Sequence, residues 1–90
     1  MELTDLQFRI LDSIYFVEPF EKIVEESGAP EKVVADELKT MISRRWVQVM
    51  KFDPNRNDFV TTLFYDGDNL KECSFLATKE GLLLHNGYGT

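Results

Sequence analysis

The sequence predicts a single α+β domain in which three helices precede a small antiparallel sheet and a fourth helix follows it. Three observations predict it. Apolar residues recur at helical spacing as far as Arg45. From Trp46 onward β-branched and aromatic residues dominate, broken by turns rich in Asp, Asn and Gly. At Thr78 a capping residue restarts a helical segment. The expected order is α-α-α-β-β-β-α, a three-helix bundle with a small antiparallel sheet, with residues 1–90 as one domain.

Thr4 is placed to cap a first helix starting at Asp5, whose carboxylate complements the positive helix end. Leu6, Ile10, Leu11, Ile14 and Val17 form its apolar stripe, while Phe8, Tyr15 and Phe16 lie off it. Pro19 ends this helix or opens the next element. A second helix over 20–27 turns Phe20, Ile23 and Val24 inward and Glu21, Glu25 and Glu26 outward, and Gly28 closes it. Pro30 sits in the first turn of a third helix with Val34, Leu38, Met41 and Ile42 as its stripe. That helix should end near Arg44 or Arg45. Strands are expected over 46–52, 59–65 and 70–77, separated by turns at 53–58 and 66–69. Thr78 then caps a last helix over 79–85, ended by Asn86 and Gly87.

Composition narrows the function classes. Hydrophobic residues are 43 % of the chain and charged residues 29 %, ordinary for a folded globular protein. Sixteen acids against ten bases give a net charge of −6, which excludes a polybasic tail protein and disfavours an anionic membrane surface. One cysteine, Cys73, and one histidine, His85, cannot supply a four-ligand zinc site or an internal disulfide. A lone thiol fits a reducing compartment. The first residues lack the positive and apolar regions of a secretory signal, and no run approaches the ~18 apolar residues of a membrane helix. The expectation is a cytoplasmic protein with no cofactor and no metal.

The helix order, two short helices joined by a tight turn and a third running into a hairpin, is that of the winged helix-turn-helix. Residues 33–47, Val-Val-Ala-Asp-Glu-Leu-Lys-Thr-Met-Ile-Ser-Arg-Arg-Trp-Val, resemble the recognition helix and first wing strand of small bacterial winged-helix transcription regulators. Residues 75–84, Phe-Leu-Ala-Thr-Lys-Glu-Gly-Leu-Leu-Leu, are similar to the stretch after the wing, where a strand end, a Thr cap and an early-helix Gly occur together. The resemblance implies a winged-helix fold, double-stranded DNA as partner and a role in transcription regulation. Two departures stand out. Arg45-Trp46 replaces the usual Gly-apolar pair, which leaves the turn after the third helix less free to adopt positive φ. Three strands follow that helix rather than two, so either hairpin could be the wing.

Catalytic chemistry is not expected. His85 has no nucleophile beside it in sequence and suits the negative end of the last helix. Cys73 sits among strand residues and reads as a small buried apolar side chain. No phosphate loop, dinucleotide fingerprint or nucleophile elbow is present, so the protein reads as non-enzymatic. Asp53-x-Asn55-x-Asn57 imitates the start of a calcium loop. Asp58 stands where such a loop needs glycine and Phe64 where it needs glutamate, so the run reads as an Asx turn.

Charge is unevenly divided. Residues 1–28 hold seven acids and two bases, residues 29–58 five acids and six bases, and residues 59–90 four acids and two bases. The middle third, which would face DNA, is the only one not acidic. Opposite the third helix's apolar stripe lie Lys32, Asp36, Lys39, Thr40 and Ser43, the candidate groove contacts. Arg44, Arg45, Lys51 and Arg56 are the candidate phosphate contacts. Phe8, Tyr15, Phe16, Leu83 and Leu84 exceed what two helices of a small monomer can bury, and mark a candidate homodimer interface. The alternative is an acidic winged-helix adaptor that binds protein and no DNA.

Overall fold

The computed structural model describes residues 3–87. Thr4 starts α1 (Asp5–Ser13) with a reciprocal capping box. Its hydroxyl accepts the Gln7 N–H at 3.1 Å, and the Gln7 side chain accepts the Thr4 N–H at 2.9 Å. The helix stops at Ser13 rather than continuing to Val17. Beyond it the chain leaves to join the sheet: the Ile14 carbonyl accepts the Ala77 N–H at 3.0 Å, and Glu18–Pro19 forms β1. Pro19 favours an extended Glu18, which suits a strand and not a helical turn. β1 is a fourth strand that the sequence pattern does not announce, because two residues carry no periodicity.

α2 (Phe20–Ser27) ends at Gly28, whose φ of 71° makes the left-handed turn expected there. α3 (Glu31–Ser43) follows Pro30 directly. Its end differs from expectation in one respect: Arg45 takes φ 65° although it carries a side chain. The Arg45 N–H bonds the Ile42 carbonyl at 3.0 Å and the Trp46 N–H bonds the Met41 carbonyl at 2.9 Å. These are the two bonds of a Schellman motif, with arginine at the position glycine normally takes. Trp46 and Met41 are both buried and supply its apolar contact.

β2 (Val47–Asp53) and β3 (Asp58–Thr61) form an antiparallel hairpin. The second strand expected over 59–65 ends at Thr61, because the Thr62 hydroxyl accepts the Phe64 N–H at 3.0 Å and turns the chain. The third, expected over 70–77, is divided. Asp66 accepts the Asp68 N–H at 2.9 Å and opens a 3-10 helix (Gly67–Glu72) anchored by buried Leu70, and only Ser74–Ala77 forms β4. α4 (Lys79–Asn86) closes the described chain.

The architecture is α+β, with a four-stranded antiparallel sheet in the order β1-β4-β2-β3. Register assigns the two sheet faces. Val47 opposes Ala77 and Val49 opposes Phe75, all buried against the helices. By alternation Met50, Phe52, Phe59 and Thr61 share the outer face. Ile10, Leu11, Ile14, Ile23, Val34, Leu38, Met41 and Phe75 are fully buried, and Trp46 closes the core where α3 meets the sheet. No helix among the described residues is long and apolar enough to cross a membrane.

Candidate functional site

The nine side chains expected to face DNA are all exposed: Lys32, Asp36, Lys39, Thr40 and Ser43 on α3, Arg44 and Arg45 in the turn, and Lys51 and Arg56 on the β2–β3 hairpin. The fold brings a further acid, Asp68, and a further base, Lys71, to this surface. The 3-10 helix lies beside α3, where Asp68 Oδ1 is 3.9 Å from Lys39 Nζ and Lys71 Nζ is 3.0 Å from Glu31 Oε2. A shallow depression of about 340 Å³ between them is lined by Lys32, Asp36, Lys39, Asp68 and Lys71. On the hairpin, Arg56 Nε lies 3.7 Å from Asp53 Oδ2. The Arg44 guanidinium sits 5.2 Å from the Trp46 ring centroid. Reading α3 alone could not find Asp68, which lies far along the chain from Lys39.

The hairpin turn has the chemistry expected of Asx residues. Asp53 Oδ1 accepts the Asn55 N–H at 2.9 Å, and Asn57 takes φ 52°. Beyond the turn the outer sheet face carries exposed aromatics. The Phe52 and Phe59 rings meet edge to face at 5.4 Å and 73°, and Leu63 and Phe64 are 86 % and 87 % exposed. Between this face and the 3-10 helix runs a cleft of about 510 Å³, lined by Phe52, Phe59, Tyr65, Asp66, Glu72 and Cys73 among others. Burial pushes the Cys73 thiol above its ordinary pKa; nearby Lys51 lowers it, while Glu72 and Asp66 raise it further.

A second cluster joins α1 to α4 and is absent from the sequence reading. His85 Nε2 lies 3.1 Å from Asp12 Oδ1, and its Nδ1 lies 2.6 Å from the Tyr15 hydroxyl. That hydroxyl also donates to Asn86 Oδ1 at 2.9 Å. Phe8 stacks on the imidazole at 4.3 Å and 14°. Of the expected dimer residues, Phe8 and Leu84 therefore pack inward and Tyr15 is engaged within the chain, whereas Phe16 and Leu83 are 79 % and 63 % exposed.

Comparison with protein-family models, with curated proteins and with solved structures returned no match.

Proposed function

We propose that this chain is a winged-helix domain acting as a non-enzymatic adaptor that binds protein. The fold reading is supported by α2 and α3 meeting at the left-handed Gly28, by α3 leading into the β2–β3 hairpin, and by the Thr78–Gly81 cap after β4. The β2–β3 hairpin then takes the part of the wing.

The adaptor reading is carried by one observation: acid interrupts the basic residues of α3 and the hairpin. Asp36 lies among them, Asp68 reaches Lys39 and Asp53 reaches Arg56. A phosphate approaching either cation meets a carboxylate within ion-pairing distance, on a chain of net charge −6. The competing reading, a DNA-binding transcription regulator, draws on Thr40, Ser43, Arg44 and Arg45, exposed together at the end of α3. A gel-shift titration against mixed-sequence duplex at low ionic strength separates the two. The adaptor gives no retarded band; salt-sensitive retardation lost in an Arg44→Ala, Arg45→Ala variant would establish the regulator instead. A cytoplasmic location and a homodimer built on Phe16 and Leu83 belong to the same proposal, and sedimentation at micromolar concentration tests the dimer.

A further inference from the structure

We infer that the cleft between the outer sheet face and the 3-10 helix receives an arginine or lysine side chain of a partner polypeptide, presented next to an apolar residue. This rests on the adaptor reading and names the chemistry of its partner. The cleft, about 510 Å³, falls within the size range of binding pockets. One wall is aromatic. Phe52 is 51 % exposed and Phe59 39 %, and their edge-to-face packing leaves ring surface open to a cation.

The other wall is acidic. Asp66 accepts from the Asp68 N–H and Glu72 from the Asn69 side-chain amide at 2.7 Å, so each carboxylate keeps acceptor capacity for a guanidinium or ammonium. Among the described residues, Asp66, Glu72 and the single cation Lys51 line the same cleft. Acid outnumbers base there, as it does over the whole chain, and a basic partner is attracted at long range. The partner's apolar residue has Phe64 to meet, 87 % exposed and next in the chain to Tyr65 of the cleft wall. A nucleic-acid phosphate would be repelled by Asp66 and Glu72.

The test is fluorescence anisotropy of the full chain with a fluorescein-labelled Arg-Leu repeat peptide, a Glu-Leu repeat of equal length, and a labelled mixed-sequence duplex. The Arg-Leu peptide should bind with salt sensitivity and the Glu-Leu peptide should not. The double variant Asp66→Asn, Glu72→Gln keeps the acceptors that hold the 3-10 helix while removing both charges, and should weaken Arg-Leu binding by roughly tenfold. Phe59→Ser should weaken it comparably, with circular dichroism confirming that each variant is folded. Equal binding of both peptides, Arg-Leu binding indifferent to these variants, or no peptide binding at all overturns the cleft assignment. Self-association abolished by the same variants would give the cleft to a second copy of this chain and overturn it too. Binding of the duplex would instead overturn the adaptor reading, so the two failures are told apart.

Discussion

Gly81 of α4 lies directly against the backbone carbonyl of Trp46, at the junction of α3 and the sheet. A Cβ at residue 81 would overlap that oxygen and approach Leu11 Cδ2 to 3.1 Å. The carbonyl cannot easily withdraw, because it accepts the Thr78 N–H at 3.0 Å. The Thr78 hydroxyl donates to the Arg45 carbonyl at 2.7 Å and accepts the Gly81 N–H at 3.0 Å. One threonine thus caps α4 and pins its first turn to the end of α3.

Gly81→Ala should therefore destabilise the domain, although alanine is the better helix former. We expect a loss of about 3 kcal/mol, the upper end for forcing extra volume into a packed core. Urea denaturation checks this, with exposed Glu80→Ala as the control. An unchanged midpoint would show that α4 docks elsewhere.

Arg45→Gly should move stability the other way. Arg45 holds φ 65° in a Schellman turn, where a Cβ is disfavoured and glycine is not. The gain should be about 0.5–1 kcal/mol, reduced by the greater freedom of glycine in the unfolded chain. Arg45→Val, β-branched at the same φ, should lose stability. Thermal midpoints of the two variants must fall on opposite sides of the parent.

Cys73 should be a slow nucleophile in the folded protein. It is buried, and burial raises its pKa, partly opposed by Lys51 and reinforced by Glu72 and Asp66. A folded-state pKa above the unfolded one contributes stability that is present below the ordinary thiol range. That contribution is lost as pH rises through the ordinary value towards the raised one, because the unfolded chain releases its proton first. Iodoacetamide should label the native protein more slowly than the urea-unfolded chain at mildly alkaline pH. The alkaline decline in stability should be smaller in Cys73→Ala.

Tyr15 and His85 should be energetically coupled. Their 2.6 Å contact ties the segment after α1 to α4, with Asp12 on the other imidazole nitrogen. In a double-mutant cycle of Tyr15→Phe and His85→Ala, the coupling should be about 1 kcal/mol, the scale of one hydrogen bond. Additive effects would show that Phe8 stacking and the Asp12 contact hold the imidazole without Tyr15.

The legible features of this chain act over short sequence distances. Thr4 and Thr78 are recognisable as caps because each bonds an N–H three residues on. Gly28 is recognisable because a helix end favours left-handed φ there. The stripe Val34, Leu38 and Met41 is readable because a helix buries one face, and Trp46 marks where the periodicity changes. From these come the helices, the α+β class and the position of the hairpin. β1 has no local signature, since Glu18 and Pro19 are a strand only where Phe75 and Ser74 lie opposite them. Asp68 beside Lys39, and Asp12 and Tyr15 around His85, are likewise unions of distant segments. Charge and periodicity can be summed along a chain, but which carboxylate meets which cation depends on how helices and strands pack, and so the character of the candidate surface emerged only once the chain was folded.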